Sequence, residues 1–249
     1  MTIHPELQAA FSQGHVLKII SGLTNFDTVN VLAVAKAAEK GGATFVDIAA
    51  DAELVRQVSE QINLPICVSA IDPEAFLAPV AAGAQLIEIG NFDAFYAQGL
   101  QFTAKDVLDL TQRTRELLPY ITLSVTVPHT LPLNEQVQLA EDLVVMGANI
   151  IQTEGGTSSQ PSHPGSVGLI EKATPTLAAA HAISRAVALP VLCASGISDI
   201  TAPMAIAAGA AGVGVGSAVN KLNNEIAMIA AVRSLYEALH TVSRSVEKV

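Results

Sequence analysis

The sequence predicts an α/β protein: a single closed (β/α)8 TIM barrel over residues 1–249, with a short N-terminal helix before the first strand. Three observations predict it. Eight short runs rich in Val, Ile and Leu alternate with longer segments of helical period, an order that requires parallel pairing through crossover helices. The helical segments close repeatedly on "GGA", "GA" or "LP", where a glycine can take the left-handed C-terminal position. Composition does not change regime along the chain, so nothing marks a second domain. An open doubly wound sheet is the rival; regular repeats with no topological break favour closure.

The strand runs are "VLKII" (16–20), "TFVDIA" (44–49), "ICVSA" (66–70), "QLIEIG" (85–90), "TLSVTV" (122–127), "IIQTE" (150–154), "VLCAS" (191–195) and "GVGVG" (212–216). Helical segments fill the intervals, and "NEIAMIAAVRSLYEALHTVSRSV" closes the chain. Asp27, Asp51, Asp72 and Thr103 stand where side chains cap the first turn of a helix. The segment from Ile150 to Thr176 is exceptional, with about twenty residues rich in Gly, Ser, Thr and Pro before the next helical pattern.

Half of the residues are apolar and 14% are charged, with a formal net charge of −10. An acidic chain without a basic block is a poor partner for nucleic acid or an anionic membrane. The uncharged stretch from Pro203 to Val219 is short and broken by glycines, so a membrane span is not expected. Cys67 and Cys193 lie inside apolar runs and read as reduced thiols. The opening "MTIHPELQAAF" has neither the basic start nor the apolar centre of a signal peptide, and a cytoplasmic protein is expected.

Strands of a parallel barrel are covered on both faces, so a charge inside one needs a reason. Lys18, Asp47, Glu88 and Gln152 each interrupt an apolar run. At period two, their apolar neighbours face the helices only if these four face the barrel axis, and Glu154 follows Gln152 inward. The expected interior is a polar cluster of mixed charge. It forms either a buried ionic plug or the floor of an active site, with Lys18, Asp47, Glu88 and Glu154 as catalytic candidates. Lys18 suits an imine or the stabilisation of a developing anion, and Glu154 suits a general acid or base.

Chemistry on this fold sits at the C-terminal strand ends. Asn25, Asn91, His129, Gly155, Gly156, Thr157 and His163 lie on that rim, and with Gln152 they are the other expected ligand contacts. His129, His163 and Glu154 lack metal-ligand spacing, and no metal is expected. The long loop reads as a lid hinged at Gly155, Gly156 and Gly165 and stiffened at its tip by Pro161 and Pro164, with Thr157, Ser158, Ser159, Gln160 and His163 in reach of ligand oxygens. After the seventh and eighth strands, small residues allow close backbone approach. A phosphate is expected over Ser195, Gly196 and Ile197 and over Gly216, Ser217 and Ala218.

That last quarter of the chain resembles the phosphate-binding barrels, a group including thiazole synthase, tryptophan-synthase α-type lyases, sugar-phosphate epimerases and FMN-dependent oxidoreductases. The motifs "SGLTNFD", "GGATFVDIAAD", "EIGNFDAFY", "LSVTVPHTLPL", "IIQTEGGTSS" and "AAGAAGVGVGSAVNKLN" occur in this order. With them the whole chain resembles the uncharacterised hypothetical chloroplast reading-frame family of cyanobacteria and algal plastids. The resemblance implies a barrel in a cyanobacterial cytoplasm or plastid stroma, and it carries no reaction. The expected function is an enzyme of lyase or isomerase class, acting on a small phosphorylated metabolite by proton transfer or carbon–carbon chemistry. An FMN-binding oxidoreductase and a non-enzymatic phosphometabolite sensor are the alternatives. A homo-oligomer is expected only by analogy with other barrels of this size.

Overall fold

The computed structural model describes residues 5–156 and 159–246. Thr157 and Ser158, two of the expected loop contacts, lie outside the described residues. The elements run α1 (Pro5–Gln13), β1 (Val16–Ile20), α2 (Thr28–Gly41), β2 (Phe45–Ala49), α3 (Ala52–Ser59) and β3 (Ile66–Ala70). A 3-10 turn (Pro73–Phe76) leads into α4 (Leu77–Ala81), followed by β4 (Leu86–Ile89), α5 (Asp93–Tyr96) and α6 (Ala104–Leu117). Then come β5 (Thr122–Thr126), α7 (Leu133–Val145), β6 (Ile150–Gln152), α8 (Gly165–Ala186) and β7 (Val191–Ala194). The chain ends through α9 (Ala202–Ala207), β8 (Gly212–Val215), α10 (Ser217–Asn220) and α11 (Glu225–Val246).

The eight strands close in sequence order, each parallel to the next, and β1 meets β8 with Lys18 opposite Gly214. Local chemistry sets the helix ends. Asp27 accepts from the Val29 N–H at 3.0 Å, Asp51 from Leu54 at 2.8 Å, and Thr103 forms a capping box with Asp106. Asp72 caps the 3-10 turn in the same way. Helix α2 stops at Gly42, whose φ of 95° is the left-handed conformation that glycine adopts without strain.

Strand alternation divides the core in two. Leu17, Ile19, Val46, Ile48, Ile87, Ile151 and Val213 face outward and pack beneath the helices. Val16, Phe45, Cys67, Leu86, Ile150 and Leu192 face inward at the N-terminal end, where Leu7 and Phe11 of α1 seal the barrel. The short N-terminal helix is therefore the plug of the barrel floor. Glycines in β8 make room for this layer and for the polar layer above it. A Cβ on Gly212 would stand 2.4 Å from Val16 Cβ, and one on Gly214 would stand 2.9 Å from Ala194 Cβ.

The structure departs from the sequence expectation on the C-terminal rim. Helix α8 begins at Gly165, so the Gly/Ser/Pro segment is shorter than its composition suggests. Pro175 sits inside α8 without breaking it. A proline at this position cannot donate to the Glu171 carbonyl one turn earlier. Ser159 Oγ donates to that oxygen instead, at 3.3 Å. The second departure is α5, a short helical turn after β4 that the strand–helix pattern does not predict.

Replacing Gly212 by alanine forces a methyl group against Val16 and should destabilise the fold by roughly 1–3 kcal/mol through overpacking. Urea unfolding of Gly212→Ala checks this; an unchanged midpoint would show that the barrel end yields more readily than its packing suggests.

Candidate functional site

The middle of the barrel is a closed polar layer. Lys18 is fully buried, and its Nζ lies 2.7 Å from Glu88 Oε2, 2.9 Å from Asp47 Oδ2 and 3.0 Å from Gln152 Oε1. The contact to Asp47 Oδ2 is ionic rather than a directed hydrogen bond. Its other oxygen accepts from Ser69 Oγ at 2.6 Å. Glu88 also accepts from Ser124 Oγ at 2.8 Å, Gln152 Nε2 at 2.7 Å and Asn91 Nδ2 at 3.0 Å. Burial by itself lowers the Lys18 pKa, but Asp47 and Glu88 overcome it and hold the ammonium above its ordinary value. Burial likewise raises Glu88, against the pull of Lys18.

A second cluster stands above, at the C-terminal ends of β4, β5 and β6. Glu154 is buried, and its Oε1 accepts from the Tyr96 hydroxyl, from the His129 N–H at 3.1 Å and from His129 Nδ1 at 3.2 Å. Its Oε2 accepts from the Asp93 N–H at 3.3 Å. Asp93 Oδ2 accepts from Ser195 Oγ at 2.8 Å, and its Oδ1 lies 3.5 Å from His129 Nδ1. Burial raises the Glu154 pKa against the hydrogen bonds it receives. The hydrogen bond to Glu154 raises that of His129 despite partial burial. Burial and the neighbouring Glu154 raise that of Tyr96.

Between the acidic cluster and the β7 and β8 loops lies a cavity of about 300 Å³. Its lining includes Asn91, Asp93 and Glu154 together with Ser195, Gly196, Ile197, Gly216 and Ser217, and Ser195 joins the two groups through its 2.8 Å bond to Asp93. Gln152 and Ile20 lie in its wall, as do Gly22, Leu23 and Thr24 of the first rim loop and Lys221 after α10. Ser195 and Gly196 are consecutive left-handed residues, with φ of 72° and 76°. The loops after β6 and β7 touch backbone to backbone there, since a Cβ on Gly156 would stand 2.4 Å from the Gly196 nitrogen.

The expected residues divide clearly. Gln152, Glu154, Asn91 and the residues of both glycine turns except Ala218 reach the cavity wall. Ala218 borders a separate surface hollow with Ser198 and Asp199. Lys18, Asp47 and Glu88 form one network beneath Gln152. Asn25 spans from Ser21 Oγ to Asn30 Oδ1 and holds its loop together. His129 stands behind Glu154, while His163 is exposed and paired with Glu171 at 2.6 Å. Asp93, Tyr96 and Lys221 were not singled out from the sequence. Only Asp93 carried a signal, as a charged residue on the rim two positions past Asn91.

The loop over this end is fastened to its own helix. Glu171 accepts from the N–H groups of Ser162 and His163, and its pKa is held down to about 2, chiefly by the His163 side chain. A lowered carboxylate pKa gives a hold that is complete above the ordinary carboxylate range and is lost as pH falls toward 2.

A closed parallel barrel with an ionised interior and a cavity at its C-terminal strand ends defines the TIM-barrel class. Within that class the chain belongs to the family described as Protein of unknown function (DUF561), which matches residues 3–245. It is 48% identical over 218 residues to the uncharacterized protein ycf23 of Cyanophora paradoxa, covering 87% of this chain and 89% of the relative. It is 38% identical over 248 residues to the same protein of Pyropia yezoensis, covering 100% and 90%. Among solved structures, it is similar to thiamine phosphate pyrophosphorylase from Pyrococcus furiosus, with a TM-score of 0.60 at 18% identity, covering 92% of this chain and 98% of that one. It is also similar to (S)-3-O-geranylgeranylglyceryl phosphate synthase from Thermoplasma acidophilum, solved with sn-glycerol-1-phosphate. There the TM-score is 0.63 at 14% identity, covering 97% and 100%. At these identities the likeness is one of fold. No helix among the described residues is long and apolar enough to cross a membrane.

Lys18→Met strands two buried carboxylates and should cost roughly 3–5 kcal/mol in chemical unfolding, part of it recovered in Lys18→Met/Glu88→Gln. Equal stability of the single and double variants would show that Glu88 is protonated without Lys18. Glu171→Gln should speed proteinase K cleavage within residues 159–164 while leaving the thermal midpoint in place; unchanged cleavage would mean that Glu171 does not hold the loop.

Proposed function

We propose that this protein is an enzyme of lyase or isomerase type acting on a small phosphorylated metabolite. The observation that carries the reading is a single cavity lined by two unlike groups of residues. One is the set of small residues after β7 and β8 with Lys221, suited to a phosphate dianion. The other is Asp93 and Glu154, suited to the oxygen-bearing carbons of the same molecule. A volume of about 300 Å³ is at the lower limit of ligand pockets, roughly 300–1,000 Å³, and favours a short carbon chain. Two fold neighbours support the reading by name, one a thiamine phosphate enzyme and one solved with sn-glycerol-1-phosphate.

Within this reading the phosphate sits on Ser195, Gly196, Ile197, Gly216 and Ser217. The reacting carbons lie against Asp93 and Glu154, where a proton is moved or a carbon–carbon bond is made or broken. Lys18 is a positioning residue. An imine requires a neutral, accessible amine, whereas this ammonium is buried and held charged by two carboxylates. It orients Gln152, taking its carbonyl oxygen and leaving its amide to donate to Glu88 and Thr126. FMN tail binding gains no observation of its own, since no aromatic side chain among the described residues lines the cavity.

The reading is tested by thermal unfolding against a panel of phosphorylated metabolites, with FMN and inorganic phosphate included. A ligand at a hundred times its dissociation constant should stabilise the protein by ~2.7 kcal/mol. Ser217→Asp, which sets a negative charge in the cup, should abolish the shift. Compounds that bind are then assayed for turnover; binding without turnover would make the protein a sensor, and no binding at all would refute the cup.

A further inference from the structure

The acidic cluster holds a buried carboxylate oxygen without a directed donor. Among the described residues two buried side-chain oxygens accept no hydrogen bond, Asp47 Oδ2 and Asp93 Oδ1; Lys18 Nζ stands 2.9 Å from the first, whereas no ammonium or guanidinium is paired with the second, an arrangement that costs free energy. It faces His129 Nδ1 at 3.5 Å, and the same nitrogen stands 3.2 Å from Glu154 Oε1. One ligand atom from each of the three residues lies within 4.8 Å of the other two.

These separations have a simple geometric meaning. Two ligand atoms bound at about 2.1 Å to one ion stand roughly 3.0 Å apart at a right angle and roughly 3.4 Å apart at a tetrahedral one. The 3.2 Å from His129 Nδ1 to Glu154 Oε1 lies within that range, and the 3.5 Å to Asp93 Oδ1 is just above it. The ligands are also held in place from behind. Ser195 Oγ fixes Asp93 through its other oxygen, and the Tyr96 hydroxyl and the His129 N–H fix Glu154. Glu154 Oε1, the oxygen nearer His129 Nδ1, also accepts from Tyr96 and the His129 N–H, while Oε2 receives only a long bond of 3.3 Å, so the free acceptor capacity of this carboxylate lies on Oε2.

We infer that Asp93, His129 and Glu154 are the protein ligands of a divalent cation that opens onto the cavity. Two carboxylate oxygens with one imidazole nitrogen suit an ion of the Mn²⁺ to Zn²⁺ series better than Ca²⁺, which takes oxygen ligands alone. Three protein ligands leave coordination positions free, and Asp93 and Glu154 both line the cavity wall. The cation sits where His129 Nδ1 turns to both carboxylates, and it supplies the missing partner of Asp93 Oδ1. The site stands on these three side chains alone. It rests on the proposed function only for what the cation acts on: an oxygen of the phosphorylated metabolite, polarised beside the reacting carbon.

The test is a Mn²⁺ titration of the whole protein, stripped with a chelator and free of phosphate compounds, followed by electron paramagnetic resonance. One Mn²⁺ per chain, displaced by Zn²⁺, is expected. Asp93→Asn, nearly identical in shape, should weaken binding at least tenfold, and Glu154→Gln gives the same reading should Asp93→Asn fail to fold. Ser217→Asp should not weaken it, which separates failure of the cation site from failure of the phosphate cup. Absence of stoichiometric binding at millimolar Mn²⁺ and Zn²⁺, or undiminished binding in the folded Asp93→Asn or Glu154→Gln protein, would overturn the inference.

Discussion

A single buried ammonium organises the centre of this barrel. Lys18 faces Asp47, Glu88 and Gln152 where water does not reach, and its charge decides how each of them is turned. A lysine without partners in that position would lose its proton, and carboxylates without a cation would take one up. Together they satisfy one another, and Ser69, Ser124 and Asn91 donate to the remaining carboxylate oxygens. Asn91 and Gln152 belong both to this network and to the cavity wall above. The charged layer thus connects the rigid centre to the rim where a ligand would sit.

The polar layer is possible because the layers on either side compensate for it. Below, Phe45, Leu86, Ile150 and the α1 residues Leu7 and Phe11 exclude water from the N-terminal end. Beside it, β8 contributes no inward side chain at Gly212 or Gly214, and a Cβ on Gly214 would press on Gln152 Oε1 at 3.3 Å. The "GVGVG" run is therefore two features in one. Gly212 makes room for Val16 and Gly214 for Ala194 and Gln152, and only Gly216 belongs to the cavity wall. Reading the whole run as a phosphate motif would merge a structural requirement with a functional one.

The C-terminal rim divides in a similar way between stiffness and access. Gly156 and Gly196 bring two loops into backbone contact, and Ser195 ties the β7 loop to Asp93. The exposed loop that composition marked as a lid is held down by Glu171. The fold is common to proteins of different activities, so the barrel by itself does not select a reaction. In this chain one cavity of about 300 Å³ is lined both by small residues of the β7 and β8 loops and by the carboxylates Asp93 and Glu154.

The architecture and the charged barrel centre could be read from the sequence because both depend on local periodicity. Alternation at period two places Lys18, Asp47, Glu88 and Gln152 inside once their neighbours are placed outside, whatever the rest of the chain does. Cap residues such as Asp27 and Asp51 act within one helical turn and were equally legible. Helix α8 was harder, because Pro175 is a helix-breaking residue, and the Glu171 carbonyl it leaves free is satisfied by Ser159, a partner outside the helix. The acidic cluster was legible only in part: Glu154 and His129 were expected on the rim, but not that Asp93 would join them. Asp93, His129 and Glu154 come from three different strand ends, and their spacing in the chain carries no angle or distance. The sequence alone determined which residues enter the barrel, because alternation is a property of each strand. Only the closed tertiary structure decided which rim residues meet, because that depends on how eight separate strands are staggered around one axis.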